Sequence, residues 1–95
     1  MSVYAVFEVE VLDPEAYKPY SQNVSAMVVK AGGRYLARGG EITTLEGEPP
    51  KPRVVILEFP SEQAFRSWYD SPEYAPYQAL RERVTRSRAY LVTGL

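Results

Sequence analysis

The chain is 95 residues long, enough for one domain built on one core. Eleven Lys and Arg against twelve Asp and Glu leave a formal net charge of −1, so nothing in the charge balance recommends nucleic acid or an anionic membrane as a partner. There is no cysteine and no histidine, which excludes disulfides, thiolate chemistry, the commonest general base and the commonest transition-metal ligand.

With only carboxylate and carbonyl ligands left for a metal, no metal and no cofactor are expected to bind stoichiometrically. The start Met1-Ser2-Val3-Tyr4 lacks a basic n-region, and Glu8 and Glu10 interrupt the first apolar run. Neither a signal peptide nor a membrane span is read there, and a soluble cytoplasmic protein is the expectation.

Val3 to Val11 alternates as a strand, with Val3, Ala5, Phe7, Val9 and Val11 on one face and Tyr4, Val6, Glu8 and Glu10 on the other. Asp13-Pro14-Glu15 opens a helix: a capping acid, a proline at the first helical position and an acid in the first turn. Tyr17, Tyr20, Val24, Met27, Val28 and Ala31 then form one apolar stripe, with an irregularity expected at Pro19 and a stop at Gly32.

Gly33 to Arg38 reads as the second strand. At strand period Arg34, Leu36 and Arg38 share one face and Tyr35 and Ala37 the other. Gly39-Gly40 predicts a bulge or bend, after which Glu41 to Glu46 continues extended. Gly47 to Pro52 is a stiff, proline-rich connection. Val54 to Phe59 is the most apolar strand and hence central, with Val54, Ile56 and Glu58 opposite Val55, Leu57 and Phe59.

Ser61 caps a second helix that buries Ala64, Phe65, Trp68 and Tyr69, and Asp70-Ser71-Pro72 breaks it. A further helix over about Glu73 to Arg86 buries Tyr77, Leu80 and Val84. Arg81, Arg83, Arg86 and Arg88, interleaved with Glu73 and Glu82, read as a solvated basic streak. Ser87 to Leu95 closes the chain as a fourth strand.

The order β-α-β-β-α-β is the ferredoxin-like split βαβ arrangement, an α+β fold. Right-handed crossovers give an antiparallel four-stranded sheet with the helices on one side. They should cover Phe7, Val9, Tyr35, Val55, Leu57 and Phe59. The open face then carries Tyr4, Val6, Glu8, Arg34, Leu36, Arg38, Ile56 and Glu58. It is too apolar for water and too charged for a dry core, and a second subunit covering it resolves the conflict.

Tyr4-Ala5-Val6-Phe7-Glu8-Val9-Glu10, Asp13-Pro14-Glu15-Ala16-Tyr17, Gly32-Gly33-Arg34-Tyr35-Leu36-Ala37-Arg38-Gly39-Gly40, Leu57-Glu58-Phe59-Pro60-Ser61 and Trp68-Tyr69-Asp70-Ser71-Pro72-Glu73-Tyr74 together resemble a bacterial family. It is the domain of unknown function numbered thirteen-thirty, in the dimeric α+β barrel superfamily. The resemblance spans nearly the whole of 1–95, read as a single domain. It implies a subunit whose sheet pairs with a twin to form a barrel, and it implies no activity. Superfamily relatives include cofactor-free monooxygenases, lactone isomerases, haem enzymes and ligand-sensing domains, an analogy of fold alone.

The main constellation is Glu8, Arg34, Arg38 and Glu58. Two close carboxylates raise one pKa and make a proton donor or base, whereas an arginine between them holds both ionised. One reading is therefore a substrate-binding or catalytic cluster, with Glu58 or Glu8 moving a proton and Arg38 and Arg34 anchoring an anionic or carbonyl-bearing molecule. The other is a salt-bridge network sealing a dimer. A carboxylate titrating near neutrality marks the first and two depressed carboxylates mark the second.

Tyr35, Trp68 and Tyr69 serve as core or as the lining of a ligand slot. Tyr74 and Tyr77, past the break at Pro72, are candidates for its mouth. Ser71 reads as a helix cap, since no histidine exists to activate it. The two function classes are thus a cofactor-independent small-molecule enzyme and a non-catalytic binding or dimerisation module. RNA binding, which this topology also hosts, is rejected because Val54 to Phe59 offers no paired aromatics on the open face.

Overall fold

The computed structural model describes residues 1–95. Its elements are β1 (Val3–Val11), α1 (Pro14–Lys30), β2 (Arg34–Arg38), β3 (Arg53–Phe59), α2 (Glu62–Tyr69), α3 (Ala75–Val84) and β4 (Thr85–Thr93). The strands form one antiparallel sheet in the order β2-β3-β1-β4, with the helices on one face. This is the predicted ferredoxin-like α+β topology.

The helix boundaries follow the local chemistry. Asp13 Oδ1 accepts the Ala16 N–H at 3.2 Å and Ser61 Oγ accepts that of Ala64 at 3.1 Å, each satisfying an orphan donor of a first turn. Gly32 ends α1 at φ +94°, and the Gly33 N–H returns to Val28 O at 2.9 Å. α1 runs unbroken through Pro19, whose carbonyl accepts the Asn23 side-chain amide at 2.7 Å. α3 ends at Val84, two residues short of expectation. β4 begins at once because Thr85 and Arg86 pair with Val11 and Glu10 in the β1 ladder.

Val3, Ala5, Phe7 and Val9 of β1 and Leu57 and Phe59 of β3 pack beneath Val24, Val28, Phe65, Trp68 and Tyr74. Trp68 stacks on Phe59 at 5.9 Å between centroids and meets Tyr74 at 4.5 Å. Gly33 lets the chain enter β2 over this cluster: a Cβ there would lie 2.5 Å from Phe59 Cε2.

A departure in β2 moves a candidate site residue to the other face of the sheet. Tyr35 pairs with Leu57 and Ala37 pairs with Ile56, so Leu36 is an extra, unpaired residue. The bulge falls at Leu36, earlier than the predicted Gly39-Gly40. Beyond it the alternation is inverted. Arg38 pairs with Val55 and faces the helices, not the open face shared by Arg34. Residues 40–52 form no strand.

Candidate functional site

Because of the bulge, the four-residue constellation is divided between two faces. On the open face Arg34 Nε donates to Glu58 Oε1 at 2.7 Å. That bond outweighs desolvation and holds the Glu58 carboxyl below its ordinary value. Glu8 accepts Arg88 Nη2 at 3.0 Å and the Lys51 N–H at 3.2 Å, and the Arg88 bond likewise lowers its pKa. The two carboxylates are not neighbours: Glu58 pairs with Tyr4, and Glu8 pairs with Val54. Four residues along β1 separate them, roughly 13 Å at strand rise. Each has its own arginine, and both pKa values are depressed.

Under the helices lies a different site. α1 contributes Tyr17, Tyr20, Ser21, Val24 and Ser25 to one wall of a cleft, and the sheet contributes Tyr35, Arg38, Arg53, Val55, Leu57, Phe7 and Val9 to the other. Trp68 and Arg81 complete the lining. The cleft is narrow, with a cavity of about 40 Å³ that widens to about 480 Å³ of atom-free space once its open mouth is counted. Room for a few waters exists as it stands.

The electrostatics of this cleft are one-sided. Arg81, on α3, is only 5% exposed, and its guanidinium lies 5.5 Å over the Phe7 ring. Nη1 donates to Ser87 Oγ at 2.7 Å, while Nε has no partner in the protein. Arg38 lies 4.9 Å over the Tyr35 ring and donates from Nη2 to Ser21 O at 3.2 Å. The Arg53 guanidinium fills the space a Cβ on Gly39 would take, and its Nε is also unpartnered. The five ion pairs of the chain use Lys18, Arg34, Arg66 and Arg88. None of the three cleft arginines has a carboxylate; Arg38 is exposed and Arg53 half-buried, but Arg81 is buried, where a charge is ordinarily paired.

The remaining polar groups are hydroxyls and one indole N–H, with no carboxylate among them. Trp68 Nε1 is buried without a partner. Tyr20 and Tyr74 share a hydroxyl–hydroxyl bond of 2.6 Å, and burial pushes both phenols up, so both keep their protons. Two hydroxyls sharing one bond leave one hydrogen free to donate. Burial raises the Tyr35 phenol as well.

Several placements differ from the sequence reading. Tyr74 is wholly buried, not at a mouth: Ser71 Oγ accepts its N–H at 3.1 Å while donating to Trp68 O, and this turn aims the ring inward. Tyr77 is half-buried against the core and does not line the cleft. Arg81 is not part of the solvated streak. It recurs at i+4 from Tyr77 and three before Val84, a phase that was legible and that its charge obscured. Arg53 was missed because it stands in phase with Val55, Leu57 and Phe59, one residue before the expected strand start. No group of three carboxylates converges to hold a metal. No helix is long and apolar enough to cross a membrane.

Among solved structures, RPA0582 of Rhodopseudomonas palustris, a protein of unknown function, matches with TM-score 0.80 at 22% identity over 99% of this chain and 82% of that one. A variant of SnoaB, a cofactor-independent oxygenase from Streptomyces nogalater, matches at 0.70 and 17% identity over 98% and 92%. Rv0793 of Mycobacterium tuberculosis matches at 0.62 and 18% over 100% and 96%. At such identities the likeness is one of fold. No curated protein matches the sequence. Residues 2–95 do match one family model, nearly end to end, and the protein is a member of DUF1330, a domain of unknown function.

Proposed function

We propose that the cleft between α1 and the sheet binds a small, acceptor-rich molecule bearing an oxyanion or carbonyl. The observation that carries this reading is Arg81, a residue only 5% exposed with no carboxylate partner, in a cleft whose buried unpartnered nitrogens are all donors. An anion from solution supplies the missing counter-charge and the missing acceptors together. The aromatic walls of Tyr17, Tyr20 and Tyr35 suit a flat ligand. Arg38 remains the anchor at the mouth, now from the helix side of the sheet.

An enzymatic role is supported by the same donors, since groups that hold an oxyanion also stabilise one forming in a transition state. The Tyr20–Tyr74 pair, whose phenols keep their protons, would donate a hydrogen bond to that oxyanion. The cleft is lined by no carboxylate to serve as base, so a substrate already acidic, such as an enol or phenol, fits best. The shared fold with a cofactor-independent oxygenase agrees with this.

Glu8 and Glu58, expected as proton carriers, belong in this reading to a sealed face, because each is ion-paired and depressed. Val6, Val54 and Ile56 are half-buried there, while Tyr90 and Val92 stand 51% and 46% exposed. A second copy would cover them. The slab measures 33 × 31 × 16 Å, so roughly 1,000 Å² of face per protomer is on offer, enough for a standard interface. Sedimentation at micromolar concentration should give a dimer, and a monomer would refute the pairing.

The ligand reading is tested by calorimetry with benzoate, salicylate and phenol on the parent protein, Arg81→Met and Arg38→Lys. Binding to the parent that is lost in Arg81→Met is expected. Affinities unchanged in both variants would overturn the reading.

A further inference from the structure

The sheet register fixes the order of groups across the cleft floor. Arg38 on β2 is opposite Val55 on β3, and Val55 is opposite Phe7 on β1. The three lie in one row on the helix-facing side, and two strand spacings put the Cα atoms of Arg38 and Phe7 about 10 Å apart. Arg81 stands over the Phe7 end of this row. At the other end Arg53, two residues before Val55 on the same face, is the diagonal neighbour of Arg38. One cation therefore sits buried at the inner end and two at the mouth, with Val55 as an apolar step between them.

Resting on the cleft being a small-molecule site, we propose that its ligand is two-headed: a planar, single-ring or conjugated acid with oxygen acceptors at both ends. The inner head meets Arg81 and the Tyr20 hydroxyl, itself bonded to Tyr74 behind it, and the outer head, a carboxylate, meets Arg38 and Arg53. A ligand with only an inner head would leave the mouth pair, Arg38 exposed and Arg53 half-buried, to water alone. Arg38 spends one donor on Ser21 O, and the rest of its fork, with the unpartnered Arg53 Nε, suits two-point capture of a carboxylate. Tyr35, under the Arg38 guanidinium, keeps that fork flat against the wall. A single ring with para substituents has the span the row allows.

The test is calorimetric titration of benzoate, 4-hydroxybenzoate and terephthalate into the parent, Arg38→Met, the double variant Arg38→Met with Arg53→Met, and Arg81→Met. Thermal midpoints would confirm that each variant is folded. Terephthalate is expected to bind the parent at least about tenfold more tightly than benzoate, with 4-hydroxybenzoate between them. The preference should fall to near unity in the double variant, while Arg81→Met weakens all three acids. If the double variant fails to fold, Arg38→Met alone should reduce the preference at least about threefold. Equal binding of benzoate and terephthalate to the parent would overturn the two-headed ligand and leave the anion site standing. A preference that survives loss of the mouth arginines would also overturn it. Binding of none of the three acids would overturn both.

Discussion

Replacing Arg81 by methionine should make the free protein more stable while abolishing the anion binding proposed for the cleft. The substitution keeps an unbranched chain of similar reach over Phe7 and removes a charge that is only 5% exposed. Two favourable terms are lost. The charged bond to Ser87 Oγ, 2.7 Å long, is worth about 2 kcal/mol, and a desolvated cation over an aromatic ring at 5.5 Å about 1–2 kcal/mol. Against them stands the penalty of burying an ion without a counter-ion, about 5 kcal/mol after relaxation. The balance favours methionine by about 1–2 kcal/mol. For a domain of this size each kcal/mol moves the thermal midpoint by about 4–8 °C. Circular dichroism melts should be run at one fixed protein concentration, because association shifts the midpoint by mass action. A Ser87→Ala control separates the lost hydrogen bond from the lost charge. A midpoint that falls by several degrees would refute the reasoning and make Arg81 a strut that ties α3 to the start of β4.

Three further perturbations test other parts of the structure. Gly33→Ala brings a Cβ to 2.5 Å from the fully buried Phe59, so the denaturant midpoint should fall by an amount equal to about 1–3 kcal/mol with the slope unchanged. Glu8 and Glu58 have folded pKa values below the reference 4.5. Their contribution is therefore present above pH 4.5 and is lost as pH falls through the lower folded values, and the acid limb of a stability profile should flatten in Glu8→Gln and Glu58→Gln. Tyr20→Phe breaks the bond to the buried Tyr74 hydroxyl and should cost about 1 kcal/mol. Since burial raises the Tyr20 pKa above its reference 10.0, its contribution is present below pH 10 and declines above it. The variant should lose less stability than the parent on the alkaline side.

The sequence reading succeeded where the signal is local. Asp13, Gly32 and Ser61 mark their helix ends through bonds made within three or four residues. The helix-covered faces of β1 and β3 follow from strict alternation. The reading failed where strands must be paired before residues can be. Glu8 and Glu58 share a face, but their separation is set by a register that opposes Tyr4 to Glu58, and no residue type announces a register. Arg38 was misplaced by counting in twos through Leu36, whose only local peculiarity is the pair of glycines three residues later. Arg81 was misjudged by charge, although its phase with Tyr77 and Val84 was correct for burial. The cleft was thus largely illegible: its cations come from β2, β3 and α3, and only packing brings them together.

The bulge at Leu36 has a consequence for how this fold changes over time. Because one extra residue inverts the alternation beyond it, a single-codon insertion or deletion in this short edge strand reassigns every later side chain of the strand. An arginine at this position faces the helices with the bulge and would face the open side of the sheet without it, with no substitution at all. Edge strands tolerate such events better than central ones, since only one neighbouring ladder has to adjust. Where a relative lacks the bulge, alignment of Arg38 by sequence alone would equate residues on opposite faces of the sheet. Alignment by the partner across the ladder, Val55, would keep them apart.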